Sequence, residues 1–354
     1  MSAERPAGPA TPPAVGRQVA RRGSDAGPQP AGVPIAVLAG GYGGAKLSHG
    51  LALASAARTG RGQAGIDLSI VVNTGDDLEL HGLAVSPDLD TVMYTLAGLA
   101  NDETGWGVRD ETWSTSEMLR RYGSDTWFAL GDRDMATHVR RTQLLRDGRR
   151  LTEATEELAC RLGVAARLLP MADEPVRTEL RTPDGWLDFQ DYFVRRGQRD
   201  TVLQIRRRGI ETARPTAEVL AAVAGARLIV IAPSNPFVSV GTILAVPGLL
   251  DALLATPAPV VAVSPVVGGK ALRGPADRML ESLGGEASAS GVVAHYREHY
   301  PGLVDTFVLD VTDAQEADGL RAAGVRVEAR DTVMRGPADR QRLAEEILAA
   351  HLPT

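Results

Sequence analysis

Carboxylates are concentrated in one short stretch of the sequence, VVNTGDDLELHGLAVSPDLDTVMY. Five of them lie within 15 residues: Asp76, Asp77, Glu79, Asp88 and Asp90. Carboxylate oxygens on two loop segments are suited to a magnesium ion that bridges the protein and a diphosphate. Capping and turn formation are the alternative roles, because Asp88 directly follows a proline and the paired aspartates are typical turn formers.

A glycine-rich turn precedes this acidic stretch. It reads VLAGGYGGAKLSHGL and contains Gly40, Gly41, Gly43 and Gly44. Backbone N–H groups in such a turn, at the start of a helix, can hold phosphate. The turn does not fit the dinucleotide fingerprint, because Lys46 occupies the position of its third glycine. It does not fit the P-loop either, because the residue before that lysine is not the required glycine. A tight turn that only needs a positive φ is the alternative.

Lysine is rare in this chain. The 38 basic residues include only Lys46 and Lys270, and both follow loop glycines, in GGAK and VGGK. An ammonium group is a compact charge suited to phosphate. The two lysines, with Arg273 in the second loop, are therefore predicted to contact phosphates.

These groups must be positioned by an α/β framework. Short continuous apolar runs predict strands buried on both faces, at 33–39, 67–73, 226–233, 258–265, 306–311 and 324–329. Helical patterns follow most of them, at 45–58, 88–99, 240–255, 276–283, 314–322 and 339–351. We predict a Rossmann-like, mostly parallel sheet with helices on both faces, in which the second strand ends in Asn73 instead of the acid of a dinucleotide-binding site.

The pattern also predicts the domain organisation. Residues 1–32 are rich in Pro, Gly, Ala and Arg and are expected to form a disordered tail, followed by a single α/β domain at 33–354. At about 105–216 the strand and helix alternation is lost, and a mixed helical and hairpin insertion is expected there.

Composition excludes several classes of protein. A formal net charge of -6 argues against nucleic acid and membrane surfaces, and no apolar run is long enough for a transmembrane span. The single cysteine, Cys160, cannot form an intramolecular disulfide and is expected to be buried in a helix. A cytoplasmic location is therefore expected.

Several segments together carry a resemblance to a known family. They are AGGYGGAKL, VVNTGDD, SPDLDTVMYTLAG, GWGVRDETW, WFALGDRDMATHVRRTQLL, RLLPMADEPVRT, IAPSNPFVSVGTIL and SPVVGGKALRGPAD. In this order they resemble the 2-phospho-L-lactate transferase family, whose actinobacterial members are phosphoenolpyruvate transferases. The resemblance extends from about residue 33 to the C-terminus.

The resemblance implies a reaction of coenzyme F420 biosynthesis. The terminal ribityl hydroxyl of the deazaflavin Fo attacks the phosphorus next to the three-carbon acid of a guanosine-diphospho donor, and GMP leaves. Asp76 and Asp88 are then the magnesium ligands, and a homodimer is expected. Phosphoenolpyruvate, 2-phospholactate and 3-phosphoglycerate remain possible acids, with arginine-rich bacterial composition favouring phosphoenolpyruvate.

The resemblance also suggests roles for other residues. Ser234 and Asn235 would contact the donor, while Asp77, His81, Arg109 and Thr112 would lie at the Fo site. Asp77 and His81 are both candidates for the base that takes the ribityl proton. Trp106 and Trp113 could form an aromatic wall for the deazaflavin or simply fill a loop core.

Two other functions are considered. A regulatory nucleotide-sugar-binding protein of the same superfamily would share the glycine turn without transferase activity, but Asp76, Asp88 and the GWGVRDETW segment argue against it. A nicotinamide-dependent oxidoreductase is disfavoured because its fingerprint is incomplete.

Overall fold

A computed structural model describes residues 32–352 of the chain. The tail predicted at 1–32 lies outside the described residues except for Gly32. The strands, in chain order, are β1 Val33–Ala39, β2 Ile66–Val72, β3 Leu78–Leu80, β4 Leu83–Val85, β5 Arg167–Pro170, β6 Arg177–Thr182, β7 Gly185–Asp188, β8 Gln204–Arg208, β9 Leu228–Ile231, β10 Val260–Val263, β11 Val266–Val267, β12 Lys270–Ala271, β13 Thr306–Asp310 and β14 Val327–Arg330.

The helices alternate with these strands. They are α1 Gly41–Gly60, α2 Pro87–Leu96, α3 Ser114–Arg121, α4 Asp132–Arg146, α5 Leu151–Arg161, α6 Ala217–Gly225, α7 Val240–Leu244, α8 Leu249–Ala255, α9 Ala276–Ser282, α10 Ala289–His299, α11 Ala314–Ala322 and α12 Pro337–His351. A π-helical turn at Asp191–Arg195 and a 3-10 turn at Val311–Asp313 complete the elements.

Seven strands form one parallel sheet in the order β14-β13-β10-β9-β1-β2-β5. Every neighbouring pair in it is parallel. The first strand, β1, lies inside the sheet, and β2 and then β5 are added on one side of it. The chain then crosses to the other side of β1, where β9, β10, β13 and β14 follow in order. The strand order therefore reverses between β1 and β9, which is where open α/β sheets leave a crevice at the carboxyl ends of their strands. This sheet confirms the predicted Rossmann-like α/β fold.

Alternate residues of each strand enter two separate cores. In β1, Ala36 and Leu38 pack with helices α6, α7, α8, α10 and α11. Ile35, Val37 and Ala39 face the other side and pack with α1, α2, α5 and α12. Both faces of the sheet are thus covered by helices, which is why its strands are apolar without alternation.

Two parts of the sheet differ from the sequence expectation. β5 is an edge strand of the main sheet although it falls within the stretch assigned to an insertion, because four residues are too short a run to be recognised. The helix expected at 240–255 is instead two helices, α7 and α8, separated near Pro247 and Gly248, where the glycine has a φ of 90°.

The small sheet β7-β6-β8 supplies the predicted hairpin and stands beside the main sheet. Its side chain Leu180 packs with Phe189, Tyr192, Val238 and Met279 in a third apolar cluster. This cluster connects the hairpin to the loop after β9 and to α9, so the hairpin is held against one end of the main sheet.

Helix α5 corrects one expectation from the sequence. Cys160 is exposed, whereas its neighbours Leu158 and Ala159 are buried. The helix turns by about 100° per residue, so adjacent positions lie on different faces. Within 32–352 there is also no helix long and apolar enough to cross a membrane.

Candidate active site

A cavity of about 830 Å³ opens at the carboxyl end of the sheet, over the reversal point between β1 and β9. Its walls come from the loops that follow β1, β2, β9, β10 and β14 and from the first two turns of α2. The segments 104–107, 127–129 and 189–198 close it from the other side. A single cavity thus collects the ends of five parallel strands.

The glycine turn lies in this cavity and continues directly into α1. Gly40 N–H donates to Ser234 Oγ at 3.0 Å, and the same hydroxyl donates back to Gly40 O at 2.8 Å. Gly41 has a φ of 63°, which favours glycine, and its N–H donates to Asp88 Oδ1 at 2.9 Å. The turn therefore joins the loop after β9 to the start of α2.

Close approach of backbone explains a further glycine of the turn. A Cβ at Gly43 would lie 2.2 Å from Pro233 O, well inside van der Waals contact. Glycine at this position lets the first turn of α1 pack directly against the loop that follows β9.

Asp76 and Asp88, the predicted metal ligands, both line the cavity and are 5% and 8% exposed. Asn73 connects them to the sheet: its Nδ2 donates to Asp88 Oδ2 at 2.9 Å, and its Oδ1 accepts from Gly75 N–H at 2.9 Å. Both oxygens of Asp88 are thus fixed by neighbours, whereas Asp76 Oδ1 has no hydrogen-bond partner among the described residues.

The electrostatics of this pair fit a cation site. Burial, followed by the charges of Asp88 and Asp77, raises the pKa of Asp76 well above its usual value. Burial raises the pKa of Asp88 to about 6, against the hydrogen bonds from Asn73 and Gly41. Two buried carboxylates that disfavour each other's charge, one with a free oxygen, suit a shared divalent cation.

Asp77 lies behind this pair. It accepts a hydrogen bond from Ser86 Oγ at 2.7 Å, and burial raises its pKa to about 7. It is not among the residues that line the cavity. The structure therefore places the predicted Asp77 near the acids of the site but not at the cavity surface.

Lys46 lines the cavity beside the glycine turn. Its Nζ donates to Met334 O at 2.7 Å and lies 4.4 Å from the centre of the Tyr42 ring. Burial, then the nearby Arg340 and Arg273, lowers the pKa of Lys46. Surplus positive charge next to a glycine turn favours an anionic ligand at this end of the cavity.

The other residues predicted to bind the phosphate-bearing substrate do not all line the cavity. Ser234 and Asn235 line the cavity, the former bonded to the glycine turn and the latter accepting from Phe237 and Val238 N–H groups. Arg273 also lines it, with its guanidinium donating to Glu103 O and Thr104 O. Lys270 is exposed on β12 and is not among the lining residues.

The residues predicted for the Fo site lie outside the cavity lining. His81 is exposed in the turn between β3 and β4. Arg109 donates to Gly98 O at 2.6 Å, and Thr112 donates to Asp132 at 2.5 Å. The last two contacts hold the loop before α3 against neighbouring backbone and the start of α4.

Aromatic side chains form a wall that the sequence analysis found only in part. Trp106 lines the cavity, while Trp113 packs edge-on to it at 6.5 Å and is not a lining residue. Trp127, Phe128, Phe189 and Phe193 also belong to this wall, and the cavity is lined in addition by Tyr42 and Tyr94. The aromatic segments WF at 127–128 and FQDYF at 189–193 are visible in the sequence, but no local pattern shows that their rings face the same cavity.

Comparison with protein families and curated proteins gives concordant results. The family of 2-phospho-L-lactate transferase CofD matches residues 35–335. The phosphoenolpyruvate transferase of Kitasatospora aureofaciens is 42% identical over 320 residues, covering 89% of this chain and 97% of that protein. Its counterpart from Streptomyces griseus subsp. griseus is 44% identical over 305 residues, covering 85% of this chain and 92% of that protein.

A third curated relative and a solved structure extend the comparison. The phosphoenolpyruvate transferase of Mycobacterium avium is 43% identical over 316 residues, which are 84% of this chain and 94% of that protein. A crystal structure of a UPF0052 family protein from Bacillus halodurans superposes with a TM-score of 0.61 at 16% identity, covering 90% of this chain and 99% of that one. The latter similarity concerns the fold alone.

Proposed function

Because this chain belongs to the 2-phospho-L-lactate transferase family, we propose that it acts in coenzyme F420 biosynthesis, transferring a phosphorylated three-carbon acid to the deazaflavin Fo. The donor in this proposal is enolpyruvyl-diphosphoguanosine, in which one diphosphate joins guanosine to the enol oxygen of the acid, since the curated relatives are named phosphoenolpyruvate transferases. The ribityl hydroxyl oxygen of Fo forms a bond to the phosphorus that carries the acid. The bond from that phosphorus to the oxygen of GMP breaks, and the hydroxyl proton is released.

The observation that carries this proposal is the arrangement of Asp76 and Asp88 beside the glycine turn. Asn73 and the Gly41 N–H fix Asp88, while Asp76 lines the same cavity and has one oxygen without a hydrogen-bond partner among the described residues. We propose these carboxylates as the ligands of Mg²⁺, which when bound supplies Lewis-acid stabilisation of diphosphate charge. Lys46 and N–H groups of the first turn of α1 other than that of Gly41, which donates to Asp88, then hold the donor phosphates beside the metal ligands.

The remaining work of the protein is positioning. The aromatic wall offers an apolar surface to a flat deazaflavin ring and limits water at the reacting phosphorus. The loop after β9, tied to Gly40 through Ser234, keeps the donor side at a fixed distance from α2. Phosphoryl transfer depends mainly on such alignment and charge neutralisation.

The test is incubation of the purified protein with Fo, Mg²⁺ and each of the three guanosine-diphospho acids, with detection of GMP and of the product mass. We expect GMP and product in equal amounts with the phosphoenolpyruvate donor. Absence of product with all three donors, together with binding of a nucleotide sugar, would support the regulatory alternative.

Two variants test the metal ligands separately. Asp76→Asn and Asp88→Asn are expected to lower transfer by roughly 100-fold or more while remaining folded. Addition of Mg²⁺ should raise the melting temperature of the wild type and not of these variants. Asp251→Asn, an exposed position on α8, is the control and should behave like the wild type. Transfer at near-wild-type rates by either variant at low Mg²⁺ would contradict the assignment.

A further inference from the structure

Four buried polar side chains form one part of the cavity lining, which we call the polar floor. Asp90 and Tyr94 come from α2, and Asp134 and His138 come from α4. They are 4%, 2%, 7% and 1% exposed. None of them is among the donor or metal ligands proposed above, although all lie in the same cavity.

The floor is organised by a buried arginine. Arg141 donates to both oxygens of Asp90 and approaches His138 Nδ1 at 3.3 Å. A guanidinium can only donate, so Nδ1 must accept, and the proton of the neutral imidazole lies on Nε2. Arg141 therefore fixes both the orientation and the tautomer of His138.

This arrangement leaves an adjacent donor and acceptor at the cavity. His138 Nε2 lies 3.2 Å from Asp134 Oδ1, without the alignment of a hydrogen bond, and has no other partner among the described residues. Tyr94 OH donates to the same Asp134 oxygen at 2.8 Å. One N–H and one carboxylate side by side match a hydroxyl group, which accepts one hydrogen bond and donates another.

The charge of the floor selects between possible ligands. Asp90, Asp134 and His138 have ligand atoms within 4.8 Å of one another, as a metal site requires. Arg141, however, already forms an ion pair with Asp90, so a metal ion bound to these three residues would lie beside a fixed positive charge. A phosphate would meet two carboxylates. A neutral chain of hydroxyl groups meets neither obstacle.

The position of the floor relative to Asp88 suits such a chain. Tyr94 follows Asp88 by six residues on α2, which corresponds to about 9 Å along the helix. Trp127 and Phe128 of the aromatic wall immediately precede the segment that leads into α4. The floor thus shares α2 with the proposed metal ligand Asp88 and adjoins, along the chain, the segment that carries part of the aromatic wall.

We propose that the polar floor binds the polyol chain of the acceptor, with His138 and Asp134 engaging one of its internal hydroxyl groups. This inference rests on the proposed function, which supplies an acceptor with a flat ring and a ribityl chain. The ring lies against the aromatic wall, the internal hydroxyl groups lie on the floor, and the terminal hydroxyl reaches the donor phosphorus near Asp88. His138 and Asp134 are acceptor-binding residues in this account.

The experiment compares Fo with analogues that lack single internal ribityl hydroxyl groups. Binding is followed by the fluorescence of the protein without donor, and transfer by product mass. We expect the wild type to prefer Fo over one of these analogues by roughly 10- to 100-fold in affinity and in kcat/KM. His138→Gln and Asp134→Asn should reduce this preference at the same hydroxyl while the KM for the donor stays unchanged.

A matched control lies on the same helix. Val139 is next to His138 but 50% exposed, and Val139→Ala should keep the wild-type preference. A purely structural role for the floor would weaken Fo and its analogues equally. Full preference for the hydroxyl in both folded floor variants, or no preference in the wild type, would overturn the inference.

The design separates this inference from the proposed function. Binding that depends on the hydroxyl, without transfer from any donor, would support the floor and refute the transferase proposal. Transfer to Fo with equal use of every analogue would support the transferase and refute the floor.

Discussion

Replacement of Gly43 by alanine tests whether direct packing of the first turn of α1 against the loop after β9 builds the crevice. A Cβ at this position would lie 2.2 Å from Pro233 O. Carbon–oxygen contacts in proteins are seldom below about 3.3 Å, so the two backbones would have to separate by about 1 Å. The obstacle is a main-chain carbonyl, and no change of rotamer relieves it.

The displacement would reach the site through the neighbouring residue. Ser234 follows Pro233 and holds both the N–H and the carbonyl of Gly40 at 3.0 and 2.8 Å. Overpacking of this kind costs about 1–3 kcal/mol in the free energy of unfolding. A shift of about 1 Å between the proposed donor-binding and metal-binding groups is expected to lower the rate of transfer by about 100-fold.

Urea unfolding and GMP release measure the two effects independently. Gly60→Ala is the control, because it lies at the end of the same helix with nothing within 4 Å of the added Cβ. That substitution should leave stability unchanged or raise it by up to about 1 kcal/mol. If Gly43→Ala matched Gly60→Ala in both assays, close packing across the crevice would not be the reason for glycine at this position.

Three other perturbations have outcomes that follow from particular contacts. Arg273→Gln should speed hydrogen exchange at 103–107 with little change in global stability, since its guanidinium holds carbonyls of that loop; unchanged exchange would refute this role. Arg141→Met should lower the free energy of unfolding by about 3–5 kcal/mol, because it leaves a buried carboxylate unpaired. Arg140→Met, at a 43% exposed side chain, should lower it by less than about 1 kcal/mol. Equal losses in the two variants would contradict the argument from burial. Burial lowers the pKa of His295 from 6.5 to about 4, so the folded state binds this proton more weakly than the unfolded state and the free energy of unfolding declines as pH falls below about 6.5. His295→Phe should therefore reduce the loss of unfolding free energy between pH 7 and pH 5 by roughly 2 kcal/mol in urea unfolding. An unaltered decline would assign the pH dependence to other groups.

Much of the framework was predictable from local pattern. Continuous apolar runs identified six of the seven parallel strands because a strand buried on both faces excludes polar residues throughout its length. The ends of those strands then placed Asp76, Asp88 and the glycine turn at one edge of the sheet, since parallel strands share a carboxyl edge. The cavity lining contains both aspartates and three of the four glycines, all but Gly44.

Local pattern was less informative about loops and faces. Lys270 follows two glycines, as a phosphate-binding lysine does, yet β12 carries it on the exposed side of a hairpin. Cys160 stands in an apolar helical sequence but falls on the solvent face. In both cases side-chain direction depends on how an element is rotated, which neighbouring residue types do not specify.

The sequence by itself thus determined the class of fold, the positions of most core strands and the residues that we propose to hold a phosphate and a cation. Tertiary structure decided which groups meet. Asn73 orients Asp88, Ser234 joins Gly40 across 194 residues, and His138 meets Asp90 through Arg141. These contacts depend on the order of strands in the sheet and on the packing of α4 against α2. Both are set by long-range burial, which local periodicity does not encode.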